Sequence, residues 1–282
     1  MPNKIAWITD SSAQLEPSFI KKHHVHVLPL SVVFEGDSYK EDIDLTQQAF
    51  YEKLHTAKTP PKTSQPAIGE MIAMYEKLQQ DGYDCAIALH VSSGMSGTFD
   101  SAQSAAQMVN FKVYPIDSKI GSYPMIKMIE LGNELIAQGQ PIEDVVAAVI
   151  AMTKNTELAF IPVNLNQLHK SGRVSGTQAF LSNLLNIKVI ISFEDGKPVL
   201  QEKIRTYKRA RNNITNLLRK DMEIGSIPEI AVIHCNNPQD ANSWKAELLQ
   251  EFPDLSIQVL PLSVCVGVHA GEGTTGLSWV RY

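Results

Sequence analysis

The sequence predicts an α/β protein with two α/β domains, the first around a mostly parallel sheet with flanking helices and the second around a mixed sheet with helices. Three observations carry this. Short β-branched runs alternate with helical periodicity through the first half of the chain, the pattern of βαβ units. Polar turns rich in Ser, Gly and Asp follow several of the apolar runs. From about Glu157 the texture changes, and two β-like runs flank Asp195-Gly196, which is a hairpin signal.

Taken in order, Ile5 to Thr9 is the first strand. Asp44 is placed to cap a helix that runs to about Thr56 and is ended by Thr59-Pro60-Pro61. After Thr63-Ser64-Gln65-Pro66, residues Ile68, Met71, Ile72, Tyr75 and Leu78 recur at helical spacing, and Gly82 closes that helix. Cys85 to Val91 is a continuous apolar run of buried-strand type, followed by a Ser/Gly turn and a small-residue helix from about Thr98 to Val109. Lys112 to Ile116 is the next strand, Ser122 to about Ala137 the next helix, and Pro141 opens another. Leu158 to Val163 is a strand, Leu184 to Phe193 and Pro198 to Ile204 form the hairpin, and a long helix starts near Thr206. Glu229 to Cys235 and Ser256 to Leu260 are strands with a helix between them, and Gly276 to Val280 closes the sheet. The expected domains are residues 1–157 and 158–282.

Composition excludes several classes. The chain has 282 residues, 44% apolar and 20% charged, which is enough apolar content for real cores and too much for disorder. Cys85, Cys235 and Cys265 each lie in apolar runs, with no Cys-x-x-Cys pair, and read as buried reduced thiols in a cytoplasmic protein. The N-terminal apolar run is too short for a signal peptide, and no stretch nears the roughly 18 residues of a membrane span. A net charge of −5 argues against nucleic acid as the main partner. Within that acidic chain, Lys203 to Lys220 holds seven Lys or Arg and no acid, a docking or phosphate-facing surface or simply a solvated face.

Three polar clusters fall at the inferred C-terminal ends of strands: Asp10-Ser11-Ser12, Ser92-Ser93-Gly94-Met95-Ser96-Gly97-Thr98, and Asp117-Ser118. Ligands of open parallel sheets bind in that crevice, so the clusters predict one shared site. The second cluster leads into a helix N-terminus, where backbone N–H groups can hold an anion, although ordinary capping also uses these residues. Thr63 and Ser64 bring further hydroxyls on a loop. Residues 271–276 read as G-x-G-x-x-G, but only six residues follow Gly276, so a dinucleotide fingerprint fails on length; a glycine turn carrying His269 and Gly271 remains. There is no P-loop and no zinc motif, and Ser96 is one residue short of a nucleophile elbow. Neutral hydroxyls and backbone donors suit holding an anion. The competing reading is a stand-alone serine-dependent hydrolase or phosphotransferase using Ser93 or Ser96 with His269 or His90.

The ordered set, from Asp10-Ser11-Ser12 through Thr63-Ser64-Gln65-Pro66, the Ser92 to Thr98 cluster, Asp117-Ser118-Lys119, Gly172-Arg173-Val174 and Ile204-Arg205-Thr206 to the His269 turn, resembles the DegV family over essentially the whole chain. The resemblance implies a two-domain protein with a lipid-filled tunnel, which binds a long-chain fatty acid and serves as the acyl-carrying subunit of a bacterial fatty acid kinase. A separate ATP-binding subunit would convert the presented carboxylate to acyl phosphate. By position, Thr63 and Ser93 would hydrogen-bond the carboxylate, with the Gly94 N–H and His269 as further donors. Arg173 and Arg205 match arginines that engage the kinase or the phosphorylated product. The resemblance implies no metal and no cofactor beyond the bound fatty acid, no nucleic acid, transient contact with a membrane surface, and a monomer when free. Met71, Met74, Met95, Met108 and Met125 are soft enough to line such a tunnel. Glu272 stands where the family usually has proline, adding a negative charge near His269.

Overall fold

The computed structural model describes residues 4–163, 165–174 and 187–282. The first apolar run forms β1 (Ile5–Asp10), and Asp10 ends it by accepting the backbone N–H and the hydroxyl of Ser12. Helix α1 (Pro17–His23), with proline in its first turn, returns the chain to β2 (Val25–Leu28), which lies parallel to β1. β3 (Ser31–Phe34) and β4 (Asp37–Lys40) form a hairpin around Glu35-Gly36, both at positive φ. Helix α2 (Gln47–Thr56) is capped by Thr46, whose hydroxyl accepts the Ala49 N–H. Asp44, the cap expected from sequence, lies in the preceding turn and accepts the Lys40 N–H instead. The Pro60-Pro61 break holds the backbone extended, so Thr63 falls on a strand, β5 (Lys62–Ser64), antiparallel to β3, and not in a loop.

Helix α3 (Ile68–Gln80) ends at Gly82, which has φ +76°. β6 (Cys85–His90) is buried along its whole length, and its alternation assigns each face a partner. Ala86 and Ala88 are small enough for close approach by α3 and by α4 (Thr98–Met108), where Met71, Tyr75, Ala102 and Ala105 pack. Ile87 and Leu89 point the other way, into the larger core. With β7 (Lys112–Asp117) the strands run β2-β1-β6-β7, all parallel. Helices α5 (Tyr123–Ala137) and α6 (Ile142–Met152) cover the Trp7 face; a Cβ on Gly132 of α5 would stand 2.3 Å from the Trp7 ring.

The second sheet begins with β8 (Thr156–Ile161), followed by the short helix α7 (Leu165–Lys170). β9 (Lys188–Glu194) and β10 (Lys197–Ile204) form the expected hairpin, with Asp195 at φ +47° and Gly196 at φ +82° in its turn; the first part of the expected strand, Leu184 to Asn186, lies outside the described residues. Thr206 caps α8 (Tyr207–Ile224), and β11 (Glu229–His234), α9 (Pro238–Glu251) and β12 (Ser256–Pro261) follow. Helix α10 (Val264–Ala270) and β13 (Thr275–Val280) complete the order β10-β9-β8-β13-β11-β12. β13 therefore sits between β8 and β11, whereas the sequence suggested a strand closing the sheet; all six of its residues are buried, as a central position requires. Helices α8 and α9 cover one face through Ile214, Leu218 and Trp244, and the other face joins the Trp7 core.

Part of the basic run is consumed by this packing. Arg211 is buried, stacked over Tyr207 and Trp244, and paired with Asp240 at 2.5 Å; Arg219 is paired with Glu251. Arg205, Lys208, Arg209 and Lys220 are exposed. All three cysteines are buried and free, and no helix among the described residues is long and apolar enough to cross a membrane.

Glu41, 1% exposed, ties distant segments together. Its carboxylate accepts the Ser11 hydroxyl at 2.7 Å, the Ser263 hydroxyl at 2.8 Å, the Val264 N–H at 2.7 Å and the Gln14 side-chain amide at 3.2 Å. Burial pushes its pKa from 4.5 up to about 7, against the pull of the Ser11, Ser263 and Val264 hydrogen bonds. The folded state thus keeps the proton up to about pH 7 while the unfolded state releases it near 4.5, so stability falls as pH rises through that window. Glu41→Gln should remove this slope from the pH dependence of urea unfolding, because the amide stays neutral across the whole window. At the centre of the second sheet, a Cβ on Gly276 would lie 2.4 Å from the Ala159 carbonyl oxygen. Gly276→Ala should therefore destabilise the fold by about 1–3 kcal/mol in the same measurement.

Candidate functional site

The strand ends and the loops after them enclose a cavity of about 590 Å³, within the roughly 300–1,000 Å³ of small-molecule sites. Its walls are mostly apolar. Val91 and Met95 come from the segment after β6, Leu158 and Phe160 from β8, Phe193 from β9, and Val266 from α10. One region of the lining is polar: Thr63, Ser64 and Gln65 from β5 and its continuation, Ser93 to Gly97 before α4, and His269 near the end of α10. Arg173 and Gly172, after α7, complete it; among the described lining residues Arg173 is the one Lys or Arg, and it is exposed.

The structure thus brings Thr63, Ser64, Ser93, Gly94, Ser96, Arg173 and His269 to one cavity, with Ser12 also on its wall. The other expected crevice residues lie behind it and hold it. Asp10, fully buried, accepts the Val91 N–H at 2.8 Å and faces the His90 Nδ1 at 3.1 Å. Ser11 donates to Glu41. Ser92 donates to the Gly196 carbonyl at 2.5 Å, and Ser118 to that of Ile120 at 2.8 Å. Asp117 receives Ser93, and Gly271, at φ +89°, ends α10. Arg205 is exposed and does not line the cavity. Of the five methionines read as soft lining, only Met95 faces it; Met71 and Met125 are core, Met74 packs beside Met71, and Met108 is exposed.

The polar groups are satisfied among themselves. Ser93 donates its hydroxyl to Asp117 Oδ2 at 2.5 Å and its N–H to Oδ1 at 3.2 Å. The Gly94 N–H meets Ser92 Oγ at 3.2 Å. Thr63 Oγ1 and His269 Nε2 are 2.8 Å apart, and Ser96 Oγ lies 2.8 Å from Thr98 Oγ1. Neither serine of the alternative hydrolase reading is therefore paired with His269 or His90, and His90 is fully buried beside Asp10. Burial, reinforced by the positive charge of Arg173, lowers His269 to about 4, so its ring is neutral at physiological pH. Glu272 does not act on His269 as its position suggested: its carboxylate is taken by His55 Nε2 and Asn236 Nδ2, each at 2.6 Å.

Gly94 has a steric reason to be glycine. A Cβ there would stand 2.5 Å from the Gly196 carbonyl oxygen, so the β9–β10 turn rests directly on the Ser92–Gly94 loop. The apolar lining residues from β8, β9 and α10 were missed in the sequence, since an apolar side chain facing a cavity has the same pattern as one facing a core. Ser122 was missed as a lining residue for another reason: its unusual φ of +62°, which helps set the wall, has no sequence signal.

A family model described as uncharacterised protein, DegV family, matches residues 4–282. The chain is 38% identical over 277 residues to protein DegV of Bacillus subtilis, covering 98% of each, and 35% identical over 280 residues to a DegV domain-containing protein of Listeria innocua, covering 99% of each. Among solved structures, it is similar to DegV, a fatty acid binding protein from Bacillus subtilis, with a TM-score of 0.89 at 37% identity, covering 99% of this chain and 100% of that one. It is also similar to a fatty acid binding DegV family protein from Streptococcus agalactiae, with a TM-score of 0.92 at 28% identity and 99% coverage of both. With the motifs of the cavity in the expected order and the family model matching nearly end to end, the chain belongs to the DegV family.

Proposed function

We propose that the protein binds a long-chain fatty acid, with the acyl tail in the cavity and the carboxylate among Thr63, Ser93, the Gly94 N–H and His269, and presents it to a separate ATP-dependent kinase subunit for acyl phosphate formation. The observation that carries this reading is an apolar cavity whose polar part, apart from the exposed Arg173, consists of neutral groups. Burial of the tail supplies about 0.8 kcal/mol per methylene, so a dozen methylenes are worth about 10 kcal/mol without a salt bridge. A carboxylate held by neutral groups keeps its oxygens available to a phosphoryl donor, whereas a bidentate arginine would occupy them. The fatty acid binding relatives in Bacillus subtilis and Streptococcus agalactiae support the ligand class. On this reading residues 1–157 supply the carboxylate loops, residues 158–282 supply much of the apolar wall and His269, and the exposed Arg173 and Arg205 face the kinase or the phosphorylated product. The absence of a Ser–His pair at Ser93 and Ser96 favours a carrier over a hydrolase.

Solvent extraction of the denatured protein followed by mass spectrometry should release a fatty acid; no lipid on extraction and none taken up on addition would overturn the reading. Because His269 is neutral above about pH 4, fatty acid affinity should show no histidine titration between about pH 5.5 and 8, and a step near 6.5 in calorimetric titrations would contradict its role as an uncharged donor.

A further inference from the structure

Asp117 touches Ser93 but is not itself part of the cavity lining. It stands at the end of β7, with its side chain 9% exposed, and all four of its contacts are donors. Oδ1 accepts the Ser93 N–H at 3.2 Å and the Lys119 N–H at 2.9 Å. Oδ2 accepts the Ser93 hydroxyl at 2.5 Å and faces Lys119 Nζ at 2.9 Å. Burial alone would raise its pKa, but the Ser93 and Lys119 hydrogen bonds outweigh burial and hold it below the ordinary carboxylate value. Asp117 is thus an anion, and an anion can only accept. A serine has one hydroxyl proton, and that of Ser93 is given to Asp117.

We propose that Asp117 is a positioning residue that competes with the bound ligand for the Ser93 hydroxyl proton and thereby sets how tightly the cavity holds a carboxylate. The proposal rests on the carboxylate reading above. A ligand carboxylate also only accepts, so it gains the Ser93 hydrogen bond only when Ser93 turns away from Asp117. Asp117 tolerates the loss because the Ser93 N–H, the Lys119 N–H and Lys119 Nζ stay in place. The loop therefore keeps its shape while one proton changes acceptor, and the carboxylate is held more weakly than by an uncommitted serine. For a carrier that must surrender its cargo, weak holding of the head and strong holding of the tail is a useful division.

Asp117→Asn separates the two acceptors. The amide oxygen can remain on the two backbone N–H groups, which puts the NH₂ against Ser93 Oγ and frees the serine proton for the ligand. Binding of palmitate and of its alcohol, hexadecanol, is measured by calorimetry for the native protein, Asp117→Asn, Ser93→Ala and the double variant. Expected is about tenfold tighter palmitate binding in Asp117→Asn, little change for the alcohol, and loss of the gain in the double variant. An unchanged palmitate-to-alcohol ratio would overturn the proposal, and so would a gain that persists without Ser93, which would mark removal of a nearby charge. In native protein carrying ¹³C-labelled aspartate, the Asp117 carboxyl should titrate at higher pH once palmitate is bound and not once the alcohol is bound; equal titration in both would overturn the proposal even if the variant fails to fold. Failure of native protein to bind palmitate at all would instead count against the fatty acid reading.

Discussion

The site depends on one buried acid. Glu41 reaches from the end of the β3–β4 hairpin to Ser11, just past β1, and to Ser263 and Val264, where α10 begins. Those contacts fix three things together: the exit of the first strand of the parallel sheet, the small sheet that carries Thr63, and the helix that carries His269. The Thr63–His269 hydrogen bond joins residues 206 positions apart, on two of the supports that Glu41 holds together. A buried carboxylate without partners would be costly, and here the donors come from two separate turns, Ser11 and Gln14 after β1 and Ser263 and Val264 at the start of α10, which makes the same group a specifier of geometry.

The polar end of the cavity follows a second constraint, that each donor has one proton to give. Ser93, Ser92, Thr63 and Ser96 are each engaged within the protein. On the proposed reading, a carboxylate therefore gains the Ser93 hydroxyl only by an exchange of partners. Lowering of His269 to about 4 keeps this region free of a histidine charge, leaving Arg173 at the exposed edge as the cationic group.

Much of this was legible in the sequence. The parallel sheet followed from runs such as Cys85 to Val91, and the hairpin from Asp195-Gly196, because burial on both faces and left-handed turn geometry each restrict composition strongly. The hydroxyl clusters marked the right strand ends. What they did not reveal was the split between residues facing the cavity and residues behind it: Asp10 and Ser12 are two positions apart, yet one is a fully buried tie and the other lies on the wall. That split depends on which way a turn presents each side chain. Glu41 escaped notice because a single acid in Tyr39-Lys40-Glu41-Asp42 looks like surface, and its partners at Ser263 and Val264 are more than two hundred residues away.

The place of β13 bears on how the molecule comes into being. β8 is adjacent to β11 only through β13, which follows both in the chain. During synthesis the parallel sheet of β1, β2, β6 and β7 has all its strands early, while the second sheet remains in two unjoined pieces until residues 275–280 arrive. The Glu41 tie to Ser263 and the Thr63–His269 bond wait on residues 263–269, which emerge just before that strand. Emergence from the ribosome thus orders the events, and the cavity closes late, with the C-terminal segment.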